Sequence, residues 1–131
     1  MAALYSEVIL EHFRHPRNYG SLSEPHISDE QFNQLCGDRI RIELRIGGAR
    51  VEEARFKGDG CAISIAAASV LTELILSADL GDLEALSDEK LLSHLKSDIG
   101  PSRLQCALLA LQALRSGLRK YRDDGVQSTT A

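Results

Sequence analysis

The sequence has no tryptophan, and its aromatic residues amount to only 5% of 131 residues. A core of ordinary size therefore has to be built from aliphatic side chains. No stretch approaches the roughly 18 consecutive apolar residues of a membrane span. Glu7 and Glu11 interrupt the N-terminal segment where a signal peptide would be uniformly apolar. A cytoplasmic protein with no membrane partner is expected. A strong positive charge is also lacking, the net charge being -4 and the pI near 5.5. That argues against general binding to nucleic acid or an acidic membrane. Local basic groups remain, Arg14 and Arg17 near the N-terminus and Arg103, Arg115, Arg119, Lys120 and Arg122 near the C-terminus. They read as solvated helix ends, with docking of an acidic partner protein as the alternative.

Several chemical signatures are missing as well. There is no C-x-x-C pair, no H-x-x-x-H, no Gly-rich phosphate loop and no G-x-S-x-G. Zinc ribbons, nucleotide-binding P-loops and serine-hydrolase elbows are thereby excluded. His12, His15, His26 and His94 have no metal-pair spacing and read as solvated or capping groups. What is present is three cysteines, Cys36, Cys61 and Cys106. An odd number in a reducing compartment cannot all form structural disulfides, which leaves metal binding, catalysis or inert burial.

The length fits a single domain over residues 1–131. Leu4, Tyr5, Val8, Ile9, His12 and Phe13 predict an amphipathic helix over 3–14, stopped by Pro16. Residues 15–35 read as a long connection. Strict alternation of Ile40, Ile42, Leu44 and Ile46 with charged residues predicts a strand, and Gly47-Gly48 a hairpin into a second strand. The phase slip in that second strand predicts a bulge near Glu52 and Glu53. Ile63 to Ile75 predict a buried helix, Ser87 caps a short helix through Leu95, and Pro101 opens a long last helix to about Tyr121. A frayed tail is expected from about residue 122. Strands and helices are segregated, so the fold class is α+β, a small antiparallel sheet packed against helices. Two strands alone are marginal in water, so a third is expected before Cys36.

The cysteines fall at places where the chain turns. Cys36 and Asp38 flank Gly37 in "LCGD", and in extended chain residues two apart point to the same side, so thiolate and carboxylate could meet on one ion. In "GDGCAIS", Gly58 and Gly60 predict a tight turn with positive φ, and Cys61 falls at the start of the buried helix. Unpaired amides and the helix dipole favour a thiolate there. A small core residue like the alanines that follow is the alternative. Cys106 is out of phase with Leu104, Leu108 and Leu111, which places it off the main apolar stripe. Arg103 stands one turn earlier, where it could lower the Cys106 pKa or steady an anion. Three thiolates suit zinc, iron or cuprous copper, while a carboxylate is harder and more readily displaced.

Taken together, "YSEVILEHFRHPRNYG" (5–20), "CGDRIRIEL" (36–44), "ARFKGDGCAISIAAAS" (54–69) and "PSRLQCALLALQAL" (101–114) resemble the scaffold proteins of iron-sulfur cluster assembly, the IscU, SufU and NifU N-terminal domain family. The resemblance implies that Cys36, Asp38, Cys61 and Cys106 hold zinc or a nascent [2Fe-2S] cluster at one end of an α+β domain. It implies a scaffold built up with sulfur from a cysteine desulfurase and emptied into recipient apo-proteins. The alternative within the family is a zinc-bound persulfide acceptor, a sulfurtransferase that activates the desulfurase, with Cys106 or Cys36 taking the sulfur. Gln105 and "SDIGPSR" stand where the IscU branch has a histidine and a segment read by an Hsp70-type chaperone, which argues against chaperone-driven release. "R-x-x-C" resembles the SufU branch, but the spacing of 45 from Cys61 to Cys106 leaves no room for that branch's insertion of roughly twenty residues.

Overall fold

Alternation in the middle of the chain builds the sheet, and the computed structural model describes it within residues 5–130, with side chains to residue 123. The elements run α1 (Glu7–Arg14), β1 (Ile27–Asn33), β2 (Asp38–Gly47), β3 (Arg50–Asp59), α2 (Ala62–Ile75), α3 (Leu80–Ala85), α4 (Asp88–Leu95) and α5 (Pro101–Thr130). The sheet is antiparallel in the order β1-β2-β3. The class is α+β, and the third strand lies before Cys36 as expected.

β1 was invisible to periodicity because its inward residues are mostly polar: Ile27, Asp29, Gln31 and Asn33. Its register on β2, Ile27 opposite Leu44 and Asn33 opposite Asp38, supplies what hydrophobicity does not. Gly48 and Ala49 form the β2–β3 loop, with φ of 59° and 61°. Both central residues are thus left-handed, as a two-residue primed turn demands, and the hairpin lies one residue beyond the predicted glycine pair. Arg45 pairs with Glu53 and Ile46 with Val51, so Glu52 is the extra residue of the predicted bulge.

The sheet's inner face, with Ile40, Ile42, Leu44, Ala54 and Phe56 fully buried, packs against α2 and α5. α1 lies on α2, and α5 on β1 and β2. Gly117 is where α5 and β1 come closest: a Cβ there would sit 2.6 Å from Ile27 Cγ2. Residues 18–20 run along the open edge of β3, where Gly20 N–H donates to the Phe56 carbonyl and Phe56 N–H to that of Asn18. The loop after α1 is therefore pinned.

Ser87 caps α4 by accepting from Lys90 N–H, as the sequence suggested. Asp79 does the same for α3, a helix too short to leave a periodic signal. α5 continues helical past the expected end at Tyr121 to Thr130. The expected frayed tail falls mostly on side chains outside the described residues.

Candidate metal centre

Three separate parts of the chain converge at one end of the sheet. The β1–β2 turn carries Cys36, and the first residue of β2 is Asp38. Cys61 is the N-cap of α2, and Cys106 lies in the second turn of α5. Cys36 Sγ is 3.3 Å from Cys106 Sγ. Cys61 Sγ is 3.5 Å from Asp38 Oδ2. Ligand atoms of Cys36, Asp38 and Cys106 all lie within 4.8 Å of one another, and Cys61 joins them through Asp38.

Cys36, Asp38 and Cys106 are close enough to share one ion, while Cys61 lies outside that group and would have to move inward to complete a tetrahedron. With Zn–S about 2.3 Å and Zn–O about 2.0 Å, tetrahedral geometry puts sulfur and oxygen about 3.5 Å apart and two sulfurs about 3.8 Å apart. The Asp38–Cys61 distance meets the first value. The Cys36–Cys106 pair is slightly closer than the second and would open a little around an ion. Three soft sulfurs with one oxygen fit zinc or ferrous iron better than a hard cation.

Three expectations are corrected by the geometry. Gly37 has φ of +74°, so Cys36 and Asp38 converge through a left-handed turn rather than an extended segment. Gly58 and Gly60 are not in the positive-φ region. They are needed for space: a Cβ on Gly58 would lie 2.0 Å from the Arg39 carbonyl oxygen, and one on Gly60 3.0 Å from Asp38 Cγ. Thirdly, Cys106 lies on the buried side of α5, at 0% exposure, whereas Leu104 is partly exposed. The stripe is buried from Leu111 onward, through Leu114 and Leu118, but before that the buried face is made by Cys106, Ala107 and Ala110, small enough for close helix packing.

Burial has an electrostatic consequence. Desolvation is the chief reason that the Cys106 thiol is pushed well above its usual range, with hydrogen bonds to Cys36 and Asp38 and the charge of Cys61 adding to it. Metal-free Cys106 is therefore a thiol at neutral pH, and a cation is what would favour its thiolate. Arg103, expected to lower it, interacts with Cys106 only weakly. Its guanidinium is fully exposed and faces Tyr5 first and then Cys61, both of which raise its own pKa.

Two polar residues that the sequence did not single out complete the centre. Ser64, fully buried on α2, donates to Asp38 Oδ2 at 2.5 Å, while Cys61 N–H donates to Asp38 Oδ1 at 3.2 Å. Both carboxylate oxygens thus have a partner at the start of α2, where the helix dipole favours a negative charge. Asn33 points its amide at Cys36 and Cys106. A serine three residues after a cysteine at a helix start, and an asparagine three before one in a turn, are the signals that could have found them.

Comparison with known proteins identifies the family. The family model "NifU-like N terminal domain" matches residues 4–127. The zinc-dependent sulfurtransferase SufU of Bacillus subtilis is 37% identical over 136 residues, covering 89% of this chain and 90% of that protein. The iron-sulfur cluster assembly protein IscU of Plasmodium falciparum is 33% identical over 122 residues, covering 91% of this chain and 74% of that one. The crystal structure of a putative SUF-system scaffold protein from Fervidobacterium islandicum superposes with a TM-score of 0.75 over 88% of this chain and 96% of that one, at 23% identity, and so shares the fold. With the family model matched across almost its whole length, and relatives above 30% identity covered for most of theirs, the chain belongs to the NifU-like N-terminal domain family of iron-sulfur cluster assembly proteins.

Proposed function

We propose that this protein is a cytoplasmic scaffold that gathers iron and desulfurase-derived sulfur on Cys36, Cys61 and Cys106, with Asp38 completing the shell, and then yields the cluster to recipient apo-proteins. The observation that carries this reading is the double anchoring of Asp38. A carboxylate that leaves a metal ordinarily becomes a buried, unpaired charge, which is costly. Here Ser64 Oγ–H and Cys61 N–H stand ready to receive it. Detachment of the one hard ligand is thus cheap, and that suits a site meant to release its cargo. Cys36 is exposed on its turn, so an acceptor protein can approach from that side, while buried Cys106 anchors the opposite side.

A second reading has its own support. The compact donor set matches one ion, and Cys36 is the exposed thiol of the three. The resemblance to a relative named as a zinc-dependent sulfurtransferase points the same way. In that reading a bound zinc ion supplies charge that keeps the thiols deprotonated. Cys36 would attack the terminal sulfur of the desulfurase persulfide, forming a new S–S bond and releasing the partner's thiolate. Against it stands the missing insertion: the alignment to that relative is 136 positions long yet covers 89% of this chain, so part of the relative has no counterpart here.

Incubation without oxygen with a cysteine desulfurase, cysteine, ferrous iron and a reductant distinguishes the two. The scaffold reading expects visible absorption of a [2Fe-2S] centre and acid-labile sulfide in proportion to iron, both lost when the three cysteines are changed to serine. Zinc alone, with strong stimulation of desulfurase turnover and no cluster, would establish the sulfur-acceptor reading instead.

A further inference from the structure

We propose that Asn33 is a positioning residue for the sulfur pair, donating its two amide N–H groups to Cys36 and Cys106 and thereby setting their spacing and electron density. The inference rests on the reading above that these sulfurs bind a metal cargo.

Asn33 is the last residue of β1 and pairs with Asp38 across the turn that carries Cys36. It is buried, at 8% exposure, and its backbone carbonyl accepts Gly37 N–H at 2.7 Å. Its Oδ1 accepts Leu35 N–H at 3.0 Å. Only the oxygen of an amide can accept, so this bond decides the amide's orientation and turns the NH2 group inward. Nδ2 then lies 3.8 Å from Cys36 Sγ and 3.9 Å from Cys106 Sγ. Two donors therefore face two sulfurs that are 3.3 Å from each other. Without metal the two sulfurs share a thiol hydrogen bond; as two thiolates on an ion they would repel, and neutral donors oppose that repulsion without competing with the cation for charge. Hydrogen bonds to ligand sulfur also withdraw electron density from it, a recognised means of tuning a metal-thiolate centre.

The turn bond and the sulfur bonds can be separated. Asn33→Asp keeps an oxygen for Leu35 N–H but has no N–H for the sulfurs. Asn33→Leu keeps the volume, lacks both functions and cannot itself become a ligand. Cobalt(II) is the probe, read by its sulfur-to-metal charge-transfer absorption and by competition with zinc. Both variants should move that absorption to lower energy, because sulfur without N–H donors is more easily oxidised. Asn33→Leu should also bind metal about 10- to 100-fold more weakly, the usual effect of losing an outer-shell partner, whereas the added carboxylate of Asn33→Asp can itself reach the ion, so that its affinity is kept while the band moves. Melting of the metal-free Asn33→Asp protein should stay within a few degrees of wild type. An unmoved absorption band in Asn33→Leu, or a wild-type band in Asn33→Asp with only Asn33→Leu impaired, would overturn the inference. If wild-type protein itself gave no thiolate-cobalt band, the reading of the site would fail instead.

Discussion

Helix α2 carries two buried polar clusters that differ in what faces them. Near its start, Ser64 meets Asp38, Cys61 and the Cys106 carbonyl. Further along, Ser69 accepts Arg17 N–H at 2.8 Å and lies 2.7 Å from His12 Nδ1. Thr72 donates to the Ser69 carbonyl and accepts from Asn18 Nδ2. All three hydroxyl residues are fully buried. The second cluster is closed, since its bonds run within α2 or from α2 to α1 and the loop that follows α1, and involve no thiol or carboxylate. The first is open, because three sulfurs keep lone pairs that only weak contacts engage. A buried hydroxyl staples a fold when it faces backbone and imidazole, and supports a binding centre when it faces thiols and a carboxylate.

The largest test of this contrast is removal of the ligands. Changing Cys36, Cys61 or Cys106 to serine should weaken zinc binding beyond the roughly 10- to 100-fold expected for an outer-shell residue, as read by competition with a chromogenic chelator. Chelation should lower the melting temperature of wild-type protein. A site at 100-fold its dissociation constant adds about 2.7 kcal/mol to stability, so an unchanged melting temperature would sink the coupling of metal to fold.

Next comes the closed cluster. Ser69→Ala leaves Arg17 N–H and His12 Nδ1 without partners in a buried place, and should cost about 1–3 kcal/mol in denaturant unfolding. Metal affinity should not change. Ser64→Ala should behave differently toward metal: without the hydroxyl that receives the detached Asp38 carboxylate, zinc should leave more slowly and bind about tenfold more tightly, or about 1.4 kcal/mol, while the metal-free protein loses stability. In an Asp38→Ala background the Ser64 effect should vanish, since a double-mutant cycle reports the contact they share. Additive effects would refute the anchoring of Asp38.

The smallest effect is that of pH on the closed cluster. Desolvation, then the charge of Arg17, lowers the His12 pKa against the opposing pull of Glu73 and Glu11. A histidine with a depressed folded-state pKa binds fewer protons folded than unfolded. Its stabilising effect is present above its ordinary value of 6.5 and is lost as pH falls through the folded value. Melting temperature should therefore decline on acidification below about pH 6.5, and His12→Gln should flatten that decline.

Much of the fold was legible in the residues. The alternation from Ile40 to Ile46, the bulge at Glu52, the Ser87 cap and Pro101 at the head of α5 all left local signals, because each is a matter of backbone preference or of period. β1 left none, since Asp29, Gln31 and Asn33 face inward without being apolar and the strand exists through its pairing with β2. Leu111, Leu114 and Leu118 of the expected stripe on α5 are buried, but Leu104 is exposed and the buried face includes Ala110, Ala113 and Gly117, because close approach of helix to sheet selects small residues.

By itself the sequence determined which atoms were available: three thiols, one nearby carboxylate and glycines at the turns. Tertiary structure decided that they meet. Cys36 and Cys106 are 70 positions apart yet in contact, and Asn33 and Ser64 acquire a role only through what is packed against them. The physical reason is range. Turn chemistry and period act over a few residues, whereas the environment of a sulfur, including its burial, its hydrogen bonds and the charges beside it, is set by whichever distant segments the core brings to it.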